Sequence, residues 1–122
     1  MARPCIFLLS GDLGAGKTEL VKTLVGLVGG QAVTSPTFAL HQTYETPLGE
    51  VDHWDLYRLE TDEELESSGF WDQFGSADYC LFIEWPERLN WNHLPQRAAV
   101  YQIQITMVVP TDRRQIRVLR RD

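Results

Sequence analysis

The stretch Gly11-Asp12-Leu13-Gly14-Ala15-Gly16-Lys17-Thr18 matches G-x-x-x-x-G-K-[ST] at every position, and no other part of the chain constrains the fold as tightly. A loop of this pattern cradles phosphate when a strand leads into it and a helix leaves it. Both are signalled here. Cys5-Ile6-Phe7-Leu8-Leu9-Ser10 is a short apolar run that predicts a buried strand. Leu20, Val21, Leu24, Val25 and Val28 recur at helical spacing, and Gly29-Gly30 stops the helix.

The chemistry of the loop accounts for its residue types. A triphosphate is dense negative charge, and wrapping it requires several backbone N–H groups aimed inward. Gly11, Gly14 and Gly16 leave no side chain in the way and permit unusual backbone angles. The following helix adds the partial positive charge of its N-terminus. Lys17 reaches the β- and γ-phosphates as a point charge, and the Thr18 hydroxyl is a ligand for Mg²⁺. A nucleoside triphosphate with Mg²⁺ is therefore the expected ligand.

The chain has 122 residues, enough for one domain with a modest core. A net charge of −6 argues against nucleic-acid binding by the chain alone, because neutralising phosphates requires clustered Lys and Arg. The tail from Arg113 to Arg121 is locally basic, and reads as a solvated strand face or a contact for an acidic partner. Cys5 and Cys80 each lie in an apolar run, so buried thiols without a disulfide are expected. No signal peptide is read before the first strand, and no apolar run approaches the ~20 residues that span a bilayer. The expected location is the cytoplasm.

Between the loop and the tail the pattern departs from a regular strand–helix alternation. Val33 to Phe38, with Ser35-Pro36-Thr37, reads as a loop, and Phe38–Tyr44 as a strand. Glu45–Glu50 is the expected turn and Val51–Leu56 the returning strand, which makes an antiparallel hairpin. Thr61 and Glu64 form a capping box for a short helix ending near Gly69, after which Phe70, Trp71 and Phe74 pack on the sheet. Tyr79–Glu84 is a further apolar strand. A Trp-, Pro- and Asn-rich loop runs from Trp85 to Pro95, and two alternating strands meet at a turn of Pro110-Thr111-Asp112. The fold class is α/β: a P-loop NTPase fold with a mixed parallel and antiparallel central sheet flanked by helices, in a single domain over residues 1–122.

Hydrolysis needs a carboxylate for Mg²⁺ and a group that orients water. Glu84 ends an apolar strand, where such an acid sits. Asp55 ends the second hairpin strand, and spacing leaves it open between a site acid and a surface residue. Thr37 occupies the loop where some nucleotide hydrolases place a hydroxyl that senses the γ-phosphate; on the pattern alone a turn or cap hydroxyl is the better reading. Arg58 and Arg88 can offset transition-state charge or pair with Glu60 and Glu87. His41, His53 and His93 show no triad or metal spacing and read as structural or surface residues. Trp85 stands beside Glu84, close to the nucleotide or a partner.

Four stretches taken together resemble one family: 11–18, Ser-Pro-Thr-Phe at 35–38, His-Trp-Asp-Leu-Tyr-Arg-Leu at 53–59 and Ile-Glu-Trp-Pro-Glu at 83–87. They are similar, in this order, to the TsaE (YjeE) family of bacterial ATPases, which act in threonylcarbamoyladenosine modification of tRNA. The resemblance spans Cys5 to Val118. It implies an ATP hydrolase that binds the TsaB–TsaD pair, supports repeated turnover and meets tRNA only through that pair. It implies phosphate and Mg²⁺ contacts at Lys17 and Thr18, a switch threonine at Thr37, acidic residues for hydrolysis at Asp55 and Glu84, with Glu84 toward the metal, and a functional tryptophan at Trp85. Members carry a helix and a strand ahead of the first P-loop strand. Only four residues precede Cys5 here, so a shortened N-terminal segment is expected. Two other readings compete: a small-molecule P-loop kinase, which needs an arginine-bearing lid, and a nucleotide-binding interaction module with little hydrolysis.

Overall fold

Strand β1, Cys5–Ser10, is buried from Cys5 to Leu9 because it has a strand on each side and a layer on each face. The computed structural model describes residues 4–12, 16–32, 41–76, 78–108, 110 and 113–121. Leu13, Gly14 and Ala15 of the glycine loop lie outside the described residues, as do the Ser35–Phe38 stretch with Thr37, and Thr111-Asp112 of the expected last turn.

On one side β1 pairs in parallel with the strand Cys80–Glu84, and on the other with Ala99–Met107. Numbered in chain order, the strands are β1, β2 (Gln31–Ala32), β3 (His41–Thr46), β4 (Gly49–Asp55), β5 (Cys80–Glu84), β6 (Ala99–Met107) and β7 (Arg114–Arg121). They form one sheet in the order β2-β3-β4-β5-β1-β6-β7. The four central strands β4, β5, β1 and β6 are parallel, and antiparallel strands close both edges. The mixed sheet expected from the hairpin signal is present. The hairpin turn is tighter than the Glu45–Glu50 segment suggests. Both strands run on to Thr46 and Gly49, leaving Pro47-Leu48 between them. The Thr46 hydroxyl closes this turn, accepting from the Leu48 amide and donating to the Gly49 carbonyl.

Odd positions of β1 face helix α1, Lys17–Leu27. Cys5, Phe7 and Leu9 pack there with Val21 and Val25 of the helix and with Cys80, Phe82, Ile103 and Ile105 of the neighbouring strands. Even positions, Ile6 and Leu8, face the opposite layer with Leu81, Ile83 and Trp54. That layer consists of helix α2, Asp62–Ser67, and a 3-10 segment, Phe70–Gly75. Coverage on both faces is why β1 and β5 are apolar throughout. Phe70 is fully buried with Trp54 edge-on to its ring, and Trp71 and Phe74 pack around it, as the sequence predicts. Burial of such a side chain contributes about 1.5–3 kcal/mol.

Helix α1 ends in a Schellman arrangement. Gly29 adopts φ 80°, its amide donates to Gly26, and the Gly30 amide donates to Val25. In α2 only half of the expected capping box forms. The Thr61 hydroxyl accepts from the Glu64 amide, but the Glu64 carboxylate reaches past Thr61 to the Glu60 amide. Cys5 and Cys80 are buried thiols at paired register positions and form no disulfide. Among the described residues no helix is long and apolar enough to cross a membrane.

Candidate functional site

The parallel strands finish together. Glu84 at the end of β5 has Leu9 of β1 and Asp55 of β4 as its register partners. The chain leaving β1 returns into the N-terminus of α1, which brings Lys17 and Thr18 over the end of β5. Gly16 precedes the helix at φ 102°, in the left-handed region that favours glycine, and its carbonyl accepts the first helical hydrogen bond from Leu20. A Cβ at Gly16 would also lie 3.2 Å from the Arg114 Nε of β7.

Lys17 is only 4% exposed. Its Nζ donates to the Gly11 carbonyl at 2.7 Å and sits 3.7 Å from the centre of the Trp85 ring. A neutral carbonyl and an aromatic face are modest partners for a buried ammonium. An anionic phosphate would hold it more strongly. Trp85 gets its position from the backbone: it is the one non-glycine among the described residues at positive φ, 59°. That bend follows Glu84 directly, turns the indole toward Lys17 and leaves it 4.8 Å from the Tyr57 ring.

The Thr18 hydroxyl donates to Glu84 Oε2 at 2.7 Å. Committing its proton to the carboxylate leaves its oxygen lone pairs available to a cation. The same Oε2 lies 2.5 Å from His53 Nε2. Burial is the largest single influence on the Glu84 carboxyl and pushes its pKa up. The hydrogen bonds from His53 and Thr18, with the charges of His53 and Lys17, outweigh that and hold it below its ordinary value. Glu84 is therefore a carboxylate at neutral pH, although it is 3% exposed.

Asp55 is half-buried beside Glu84, and its Oδ1 accepts from the Tyr57 amide, closing the turn after β4. It thus has a local structural task as well as a place next to the site. Asp12 is exposed on the described part of the loop. Arg88 donates to the Tyr57 carbonyl and so braces the same turn. Among the histidines, His41 stacks on Trp54 and contacts Asp52, and His93 meets the edge of Trp71. Of the structural and surface alternatives the sequence left for His53, the structure takes the first: it is 7% exposed and hydrogen-bonds Glu84. The signal was His53-Trp54-Asp55, because period-two alternation places His53 and Asp55 on one face of a strand. Only the pairing of β4 with β5 turns that face toward Glu84.

Lys17, Thr18, His53, Glu84 and Trp85 therefore meet at the C-terminal ends of parallel strands, with Asp55 alongside. Among the described residues no group of three His, Cys, Asp or Glu side chains could hold a metal on its own. One hydroxyl and one carboxylate are the sparse, hard-oxygen set that suits Mg²⁺ when substrate phosphates complete its shell. The donor chemistry fits Mg²⁺ with a nucleotide and does not fit an all-protein metal cage.

The family model described as "Threonylcarbamoyl adenosine biosynthesis protein TsaE" matches residues 1–116. The chain is 46% identical over 81 residues to a "tRNA threonylcarbamoyladenosine biosynthesis protein TsaE" of Haemophilus influenzae, covering 66% of this chain and 51% of the relative. It is 41% identical over 86 residues to the protein of that name from Rickettsia prowazekii, covering 67% and 57%. For the Nostoc protein of that name the figures are 41% over 87 residues, 69% and 54%. The chain spans about half the length of the curated relatives it matches.

Proposed function

The chain belongs to the TsaE family, and from that premise we propose that it is a Mg²⁺-dependent ATP hydrolase serving threonylcarbamoyladenosine biosynthesis on tRNA. The observation that carries the proposal is the convergence of Lys17, Thr18 and Glu84 where the glycine loop enters α1. Bound Mg²⁺ supplies charge neutralisation across the phosphates. The chain's own residues supply the rest. Gly11, Asp12, Leu13, Gly14, Ala15 and Gly16 offer backbone amides to the phosphates, and Lys17 leaves Gly11 and Trp85 to neutralise them. Thr18 would offer its oxygen lone pairs to the cation while its hydroxyl hydrogen stays hydrogen-bonded to Glu84. Glu84 and Asp55 orient water around the phosphate, and Thr37 reads the γ-phosphate from its loop.

The output is conformational. Nucleotide binding and hydrolysis are sensed through Thr37, and the TsaB–TsaD pair reads the difference in the cytoplasm, with tRNA held by that pair. The test is phosphate release from ATP and from GTP, with and without TsaB–TsaD. ATP-selective turnover that rises with the pair supports this reading. ATP binding without turnover in either condition replaces it with a nucleotide-dependent interaction module, and transfer of phosphate to a small acceptor replaces it with a kinase.

A further inference from the structure

Glu84 is held from two sides, and the mechanism above uses only one of them. Thr18 lies in the first turn of α1, just after the glycine loop. His53 is a buried residue of β4, the strand next to β5, on the sheet face that also carries Glu84. Both donate to the same atom, Oε2. A carboxylate oxygen can only accept, so Nε2 carries a proton whether or not the ring is charged. Two donors on Oε2 fix the carboxylate plane, and among the described residues no hydrogen bond engages Oε1.

We propose that His53 is a positioning residue: it clamps Glu84 through Oε2 so that Oε1 is presented to the Mg²⁺ shell beside Thr18. This rests on the ATPase reading. His53 touches neither nucleotide nor cation; it acts through Glu84. Because β4 is paired on both sides, the sheet fixes the position of the clamp. Without it Thr18 alone would hold the buried carboxylate, although the oxygen of Thr18 also serves the cation. Partners that orient a metal-binding carboxylate typically matter 10- to 100-fold in metal affinity or activity.

The experiment titrates Mg²⁺ against ATP binding by calorimetry on the full chain, for wild type, His53→Gln and His53→Leu, with circular dichroism on each. The Gln amide can donate to Glu84 from about where Nε2 stands, and Leu cannot. The expected result is that His53→Leu raises the Mg²⁺ concentration for half-maximal response about 10- to 100-fold, leaves ATP affinity without Mg²⁺ unchanged, and lowers kcat more than it raises KM. His53→Gln recovers most of this. If His53→Leu does not fold, His53→Asn replaces it, since its shorter amide stops short of Glu84. A donor-free variant that folds and titrates like wild type overturns the inference and leaves the ATPase reading standing. So does a His53→Gln chain as impaired as the donor-free variant. A wild-type chain whose ATP binding ignores Mg²⁺ overturns the ATPase reading and this inference with it.

Discussion

Glu84 and Lys17 carry opposite charges into the same buried corner, and their partners differ in kind. Lys17 is held by a carbonyl and a ring face, so removing it strips charge from the proposed phosphate site. Lys17→Ala should weaken ATP binding by about 10- to 100-fold, the worth of a charged hydrogen bond, while circular dichroism stays that of wild type. Unchanged affinity would sever the loop from nucleotide. Glu84→Gln and Asp55→Ala should each slow hydrolysis more than they weaken ATP binding, as measured by turnover beside calorimetry. Glu84 also makes stability depend on pH. Its folded pKa lies below the ordinary 4.5, so the stabilisation is fully present above that value and fades as pH falls through the lowered one. Urea midpoints of the ligand-free chain should therefore drop from about pH 5 downward, and Glu84→Gln should flatten part of that drop. A wild-type slope no steeper than that of the Gln variant would mean that Glu84 gains nothing from His53 and Thr18. Trp85 adds a standing cost of about 1–3 kcal/mol for its left-handed backbone, offset by the contacts it makes with Lys17 and Tyr57.

At the scale of elements, α1 depends on how it stops. Gly30 returns its amide to Val25, and a Cβ there would stand 2.3 Å from Val25 Cγ1 and 2.9 Å from the Val25 carbonyl oxygen. Val25 is a core residue facing β1, so it has little room to yield. Gly30→Ala should cost about 1–3 kcal/mol, read as a lower urea midpoint with an unchanged slope. Gly26→Ala is the control, because a Cβ there meets nothing within 4 Å; as a helical position it should gain stability. Equal midpoints for the two variants would show that the helix end is not under this constraint. The half-formed box at α2 follows the same logic of local geometry: the Thr61 cap forms, but Glu64 meets the Glu60 amide because the preceding turn brings that donor nearer.

The whole molecule separates its charges. Acidic residues gather in the first turn of α2, while β7 displays Arg114, Arg117, Arg120 and Arg121 on an exposed edge strand. Such an edge is guarded against pairing with another chain by its charges. With a net charge of −6, the isolated chain should bind labelled tRNA weakly at about 0.15 M salt, whereas the TsaB–TsaD pair should retain tRNA and recruit this chain in an ATP-dependent way. Tight, salt-sensitive tRNA binding by the chain alone would make β7 a nucleic-acid surface and reverse the proposed division of labour.

Local rules were enough to read the buried β1 and β5, the helix α1 and its glycine stop, the hairpin and the carboxylate at the end of β5 from the sequence. Each is set within a few residues, by backbone angles only glycine tolerates or by a run of apolar side chains. What lies between those elements was decided in three dimensions. His53 reads as an ordinary histidine until β4 pairs with β5 and turns its face to Glu84. Arg114 reads as one of several basic residues in a tail until β7 pairs with β6 and brings it to Gly16. Asp55 is poised between turn acceptor and site acid because register makes it Glu84's neighbour while its own chain makes it the cap of Tyr57. Register and strand order are products of global packing, since any one strand's pattern fits several neighbours, and only burial of both sheet faces selects among them.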